Sequence, residues 1–221
     1  MLLLAFDTAT PAVTVALHDG SRVLAAAAVV SSRRHGELLA AMIEKVLAEG
    51  GAARTDLDAV AVGTGPGPYT GLRAGLVTAR VLASALSVPA IGVCTLDVMA
   101  RAAAPAAAGH EFIVAADARR KEVYWARYDP QARRIGGPAV SHPAELITAE
   151  LAASCPVAGE GPVLYPELSA DPIPPRYPEA AHLAEIAAAS LAQGRPISPP
   201  EPLYLRRPDA RVPGKPKRVT A

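Results

Sequence analysis

Cysteine is almost missing from the chain: Cys94 and Cys155 are the only two in 221 residues, and no C-x-x-C spacing occurs. A disulfide framework and a cysteine-built zinc site are therefore excluded, and the usage fits a reducing compartment. No basic segment precedes the apolar stretch Met1-Leu-Leu-Leu-Ala-Phe, which runs straight into Asp7, so it does not read as a secretory signal. No apolar run approaches the roughly 20 residues needed to span a bilayer. These absences predict a soluble, cytoplasmic protein with no membrane partner. Net charge is also nearly absent, at +1, but it is unevenly spread. Residues 205–221 carry six Lys/Arg against Asp209, a net +5 that leaves −4 on the preceding 204 residues. That proline-rich tail is expected to be solvated and flexible, and able to touch an acidic partner or nucleic acid.

Standard catalytic patterns are missing too. GxSxG does not occur, and neither cysteine has a base positioned near it in sequence. The glycine-rich stretch GTGPGPYTGLRAGL at 63–76 follows an apolar run but is not a P-loop, because Gly71 is followed by Leu72 and Arg73 instead of Lys and Ser/Thr. It also differs from the dinucleotide fingerprint, which follows the first strand of its unit and has an acidic residue about 20 positions on.

What is present is a regular alternation of strands and helices. LLLAFD at 2–7 is a continuous apolar run ending in Asp7, as expected of a buried strand emerging at a sheet edge. VTVALHDG and VLAAAAVV continue it as a β-meander turning at Asp19-Gly20. Apolar residues at helical spacing predict a helix over 36–48 stopped by Gly50-Gly51, then a strand at 59–63, a helix over 70–87, a strand at 91–94 and a helix from Thr95 to near Pro105. Shifting the chain by 110 lays FIVAADARRKEVYWARYD on LLLAFDTATPAVTVALHD without a gap, Asp117 meeting Asp7 and Val123 meeting Val13. Further on, AELITAELAA reads as a helix, PVAG as a short strand and residues 180–194 as a last helix. The pattern predicts an α/β protein of two lobes built from one βββαβα unit, the second abbreviated. The lobes are 1–104 and 105–204, the last segment of the second being able to return to the first.

The duplicated opening of strand, Asp and Thr-containing turn resembles the actin, hexokinase and Hsp70 superfamily, an actin-like, ribonuclease H-like ATPase fold. Within it, AFDTAT, RRHGELL, GTGPGPYTGLRAGL, DARRKEVYWA and PLYLR, in that order, resemble the TsaB (YeaZ) family over Leu2 to Arg206. The resemblance implies a non-catalytic subunit for N6-threonylcarbamoyladenosine synthesis in tRNA, with the catalytic TsaD subunit and the ATPase TsaE as partners. It also implies a homodimer when the chain is alone, and tRNA engaged through the complex. In the superfamily the turn after the first strand carries a glycine that admits nucleotide phosphates; here it reads Thr8-Ala9-Thr10, and a Cβ at Ala9 obstructs that approach. Asp7, Thr8 and Thr10 remain degenerate phosphate-loop candidates, so no cofactor is expected beyond residual nucleotide binding. TsaD is recognised by two histidines four residues apart that hold a metal. Here His35 is followed at that spacing by Leu39, and no other histidine pair replaces it, so no metal is expected.

Small residues at Gly71, Ala74, Gly75, Thr78 and Ala79 line a helix face suited to close approach of a second helix, with Arg73 beside its start. His35, Leu38, Leu39, Met42 and Ile43 supply the second helix, and together these residues are the expected partner interface. On that reading Gly75→Leu leaves the fold intact and damages only pairing. An ATP-dependent small-molecule kinase of the superfamily is the first alternative and a glycoprotease-like protein the second. The missing turn glycine argues against the first and the missing histidine pair against the second.

Overall fold

A strand covered on both faces needs apolar side chains at every position, and β1 (Leu3–Asp7) is buried at all five. The computed structural model describes residues 1–31, 35–149 and 155–206, with His35 described in its backbone only. β1 pairs antiparallel with β2 (Ala12–His18) and parallel with β4 (Ala59–Gly63). β3 (Val23–Val30) and β5 (Ala90–Val93) complete a five-stranded sheet in the order β3-β2-β1-β4-β5. Alternation of side chains divides β1 between two cores. Leu4 and Phe6 join Leu39, Met42 and Val46 of α1 (His35–Glu49) and Leu72 and Leu76 of α2 (Tyr69–Leu86). Leu3 and Ala5 face the opposite way and meet Leu183, Ala184 and Ala187 of the last helix.

The second sheet has the order β8-β7-β6-β9, with β6 (Phe112–Asp117), β7 (Val123–Tyr128), β8 (Arg134–Ser141) and the two-residue β9 (Val157–Ala158). On one face Phe112, Val114 and Tyr128 pack on Leu96 and Met99 of α3 (Thr95–Ala103), which joins the two halves. On the other face, Ile113 and Val123 pack on Leu146 of α4 (Pro143–Thr148). The helix expected over 144–153 therefore stops by Thr148, and residues 150–153 lie outside the described set. After the single-turn α5 (Gly161–Leu164), α6 (Ala180–Ala192) leaves the second sheet and covers the bare face of the first.

The repeat is visible in the pairing, with one correction. β1 and β6 both end in Asp, but Asp7 sits opposite Thr14 whereas Asp117 sits opposite Val123. The second hairpin is thus one residue tighter than the gapless alignment requires. Its turn explains the difference: Arg119, Arg120 and Lys121 all adopt left-handed backbone angles, with φ of 62°, 56° and 61°. A bond from Ala118 N–H to Glu122 C=O closes the loop. Three successive non-glycine residues in that region are unusual, because the Cβ of each crowds the backbone there.

Candidate functional site

The glycine-rich segment 63–76 and the turn at 8–10 form one buried unit. Asp7 is fully buried; its Oδ1 accepts the Ala9 N–H at 2.7 Å and its Oδ2 accepts the Thr95 hydroxyl at 2.7 Å. The same Thr95 oxygen accepts the Gly65 N–H at 3.1 Å, and the Thr95 N–H returns a bond to the Gly65 carbonyl at 2.8 Å. Gly65 makes both contacts from φ +85°, a conformation other residues rarely adopt. The Thr8 hydroxyl donates to the Gly71 carbonyl at 2.8 Å and accepts the Gly75 N–H at 3.1 Å. The Thr10 hydroxyl oxygen accepts the Ala12 N–H at 3.2 Å and is likewise buried.

The glycines are required by contact distance. A Cβ at Gly63 would lie 1.8 Å from Asp7 Oδ2, one at Gly67 2.0 Å from the Ala9 carbonyl oxygen, and one at Gly75 2.4 Å from Thr8 Oγ1. The start of α2 and the glycines before it therefore rest directly on the first turn of the chain, Gly67 lying against the Ala9 backbone. Asp7, Thr8 and Thr10, the degenerate phosphate-loop candidates, are all buried and hydrogen-bonded within the chain. Gly63, Gly67 and Gly75 thus face Asp7, Ala9 and Thr8 respectively.

Burial raises the Asp7 pKa above the ordinary 3.8, opposed by the bonds from Ala9 and Thr95. A raised folded-state value means that the native state gives up stability as pH rises from about 3.8 through that value. Asparagine at position 7 keeps an acceptor for Ala9 and has no charge to bury. The melting temperature of Asp7→Asn relative to the parent is thus expected to increase with pH across that window and then level off. A difference that is flat from acidic to neutral pH would show that the carboxyl is not held against its charge.

The expected partner interface divides when placed in the fold. Gly71, Gly75 and Ala79 are buried against the sheet, as are Leu39, Met42 and Ile43. Their small or apolar character serves helix-on-sheet packing within the chain, so the small-residue stripe is not the outer face. Leu38, Ala74 and Thr78 are half-buried and Arg73 is exposed; His35 opens α1, its side chain outside the described set. Sequence reasoning missed Val77 and Val81, which are 59% and 63% exposed on the outer side of α2. With Ala40, Ile43, Leu82 and Ala85 they line a mainly apolar groove of about 410 Å³ between α1 and α2, to which Glu44, Arg54 and Thr78 add polar groups.

Elsewhere the chemistry is subdued. Burial, reinforced by the nearby Asp97 carboxylate, pushes the Cys94 thiol up to about 11, the opposite of an activated nucleophile. Among the described residues no three His, Cys, Asp or Glu side chains are grouped as a metal set, and no helix is long and apolar enough to cross a membrane.

Comparison with known proteins adds to this geometry. A family model described as "TsaD: tRNA N6-adenosine threonylcarbamoyltransferase" matches residues 29–167. The chain is 34% identical over 233 aligned residues to the Escherichia coli protein named tRNA threonylcarbamoyladenosine biosynthesis protein TsaB, covering 97% of this chain and 100% of that one. It is 41% identical over 213 residues to an uncharacterized protein of Mycobacterium tuberculosis, covering 95% and 93% of the two chains. The solved structure of YeaZ from Pseudomonas aeruginosa superposes with a TM-score of 0.78 at 32% identity, covering 92% of this chain and 99% of that one.

Proposed function

The chain belongs to the TsaB family, and from that premise we propose that it acts in the synthesis of N6-threonylcarbamoyladenosine in tRNA as a non-catalytic, activating subunit. The observation that carries this reading is a contrast between two places in the fold. At the first turn Gly67 lies on Ala9 and Asp7, Thr8 and Thr10 are buried, whereas the groove between α1 and α2 leaves Val77 and Val81 open to solvent. A chain that buries the polar side chains of its first turn and leaves two valines of α2 exposed beside α1 is suited to working through a partner.

The partner that fits is a TsaD-type transferase, because the TsaD family model itself matches this chain across α1 and α2. Related folds present related faces, so the same helix pair serves a pseudo-symmetric heterodimer and, without the partner, a like-with-like homodimer. A TsaE-type ATPase would join the pair and supply nucleotide hydrolysis. Reconstitution of the modification with purified components tests the role: tRNA should be modified efficiently only when this chain is added, and equal rates without it would sink the proposal.

The isolated chain should also be inert toward ATP. Calorimetric titration is expected to give no saturable binding up to about 1 mM, a threshold equal to roughly 4 kcal/mol of affinity. Micromolar binding would reinstate the kinase alternative.

A further inference from the structure

Residues 195–206 leave the end of α6 as a strap that crosses the first lobe and finishes on the second. At the β5 edge of the first sheet the Gly92 N–H donates to the Ser198 carbonyl, and further on the Leu203 N–H donates to the Thr64 carbonyl, each at 2.8 Å. The strap also lies along α2. The Arg80 guanidinium donates to the Pro200 carbonyl at 3.0 Å, the Arg73 Nε–H donates to the Tyr204 hydroxyl at 2.8 Å, and the rings of Tyr69 and Tyr204 meet with centroids 4.8 Å apart. Arg206 then reaches both lobes. Its carbonyl accepts the Tyr69 hydroxyl at 3.2 Å, while its guanidinium donates to the Ala118 carbonyl at 3.2 Å and pairs with the Glu122 carboxylate. Beneath Leu203–Arg206 lies a depression of about 220 Å³, with Gly67, Pro68 and Tyr69 of one lobe facing Ala118, Arg119 and Tyr124 of the other.

Ala118 and Glu122 are the two ends of the left-handed turn. Three successive non-glycine residues keep such angles only where their surroundings over-determine them, and the Arg206 guanidinium grips this turn at both ends. The Arg206 and Glu122 side chains are 22% and 24% exposed, so salt screens the pair less than one on the open surface. We propose that the strap is a latch between the lobes, with Arg206 as its clasp. Seated, Arg206 holds the Arg119-Arg120-Lys121 turn in its left-handed form; withdrawn, it lets the turn relax and frees the second lobe from the strap. The latch is coupled to pairing, and in this it rests on the functional reading above. Tyr69, Arg73 and Arg80 bear on the strap from the same helix that presents Val77 and Val81 to a partner. A partner that fixes α2 therefore steadies the strap, and by linkage the seated clasp strengthens pairing by the same factor.

The test is amide hydrogen exchange of the full chain, read residue by residue by NMR. Arg206→Ala should speed exchange of the Ala118 and Leu203 N–H groups about tenfold while the amides within β1 and β6 keep their protection. Lys121→Gly, which accepts the left-handed angle without steric cost, should slow the Ala118 amide severalfold, and Lys121→Val, whose branched side chain opposes that angle, should hasten it. Unchanged rates at Ala118 and Leu203 in Arg206→Ala would overturn the latch. Equal acceleration at every amide would do the same, since it would make Arg206 a general stabiliser. Adding a TsaD-type subunit should slow the same two amides, which lie outside the α1–α2 groove, and Arg206→Ala should weaken pairing by about fivefold or more. Pairing as tight as that of the parent would overturn the coupling. A parent chain that does not pair would sink the functional reading and the coupling with it, whereas the exchange rates of the isolated chain would still decide the latch.

Discussion

Leucine in place of Gly75 is expected to remove a large part of the protein's stability, whatever it does to pairing. The Cβ alone would stand 2.4 Å from Thr8 Oγ1, and that hydroxyl is held between the Gly71 carbonyl and the Gly75 N–H. To admit the side chain α2 must lift from β4, which loosens Leu72 and Leu76 over Phe6 and Val62. Overpacking of this kind costs roughly 1–3 kcal/mol, and an unsatisfied buried hydroxyl adds about 1–3 more. The sum is a sizeable share of the 5–15 kcal/mol of a typical domain, against which the helix-propensity gain of roughly 1 kcal/mol is minor. Urea unfolding is the measurement. A midpoint near that of the parent would mean that the contact between α2 and the first turn is not as close as described. The expectation that position 75 faces a partner and tolerates leucine is thus replaced by its opposite.

Val81→Arg should behave in the reverse sense, leaving the monomer stable and abolishing association. Val81 is 63% exposed, and surface substitutions of that sort usually shift stability by no more than about 0.5 kcal/mol. Once the groove between α1 and α2 is covered, however, the guanidinium would be buried among Ala40, Val77 and Ala85, in a groove where Arg54 already shares the one acid, Glu44. Leaving a charge buried without a good partner costs about 3 kcal/mol or more, a loss of roughly 100-fold in affinity. Sedimentation of the isolated variant should give monomer, and capture by a TsaD-type subunit should fall in parallel. A variant that pairs as tightly as the parent would remove the α1–α2 groove from consideration as the interface.

Much of this architecture was legible because its elements obey one period at a time. The continuous apolar runs of β1 and β4 read as strands covered on both sides, and the apolar spacing of α1 and α2 placed those helices within a residue or two. What could not be read was direction. Gly71, Gly75 and Ala79 form a small-residue face under either reading, and only the position of Thr8 decides that the face looks inward. The turn length in the second hairpin was similarly hidden: three side chains with no intrinsic liking for left-handed angles gave no sign that they would adopt them. The identity of Asp7 as a buried acceptor, held by a threonine 88 positions away, depends on a contact that no local pattern encodes. The family resemblance, by contrast, rested on the order of several short stretches, and that order is a property of sequence alone.

The return of α6 to the first sheet links the order of synthesis to the order of folding. Leu3, Ala5, Ala59, Ala61 and Ile91 emerge early, yet the side chains that cover them, Leu183, Ala184, Ala187 and Ala188, come from near the other end of the chain. Until those residues leave the ribosome the first half has only Val98 of α3 to set against this apolar surface, the kind of intermediate that invites aggregation. The two halves therefore cannot mature in sequence, as independent domains do, and the last helix acts as the closing step for a sheet completed some 90 residues earlier, from Val93 to Ala180.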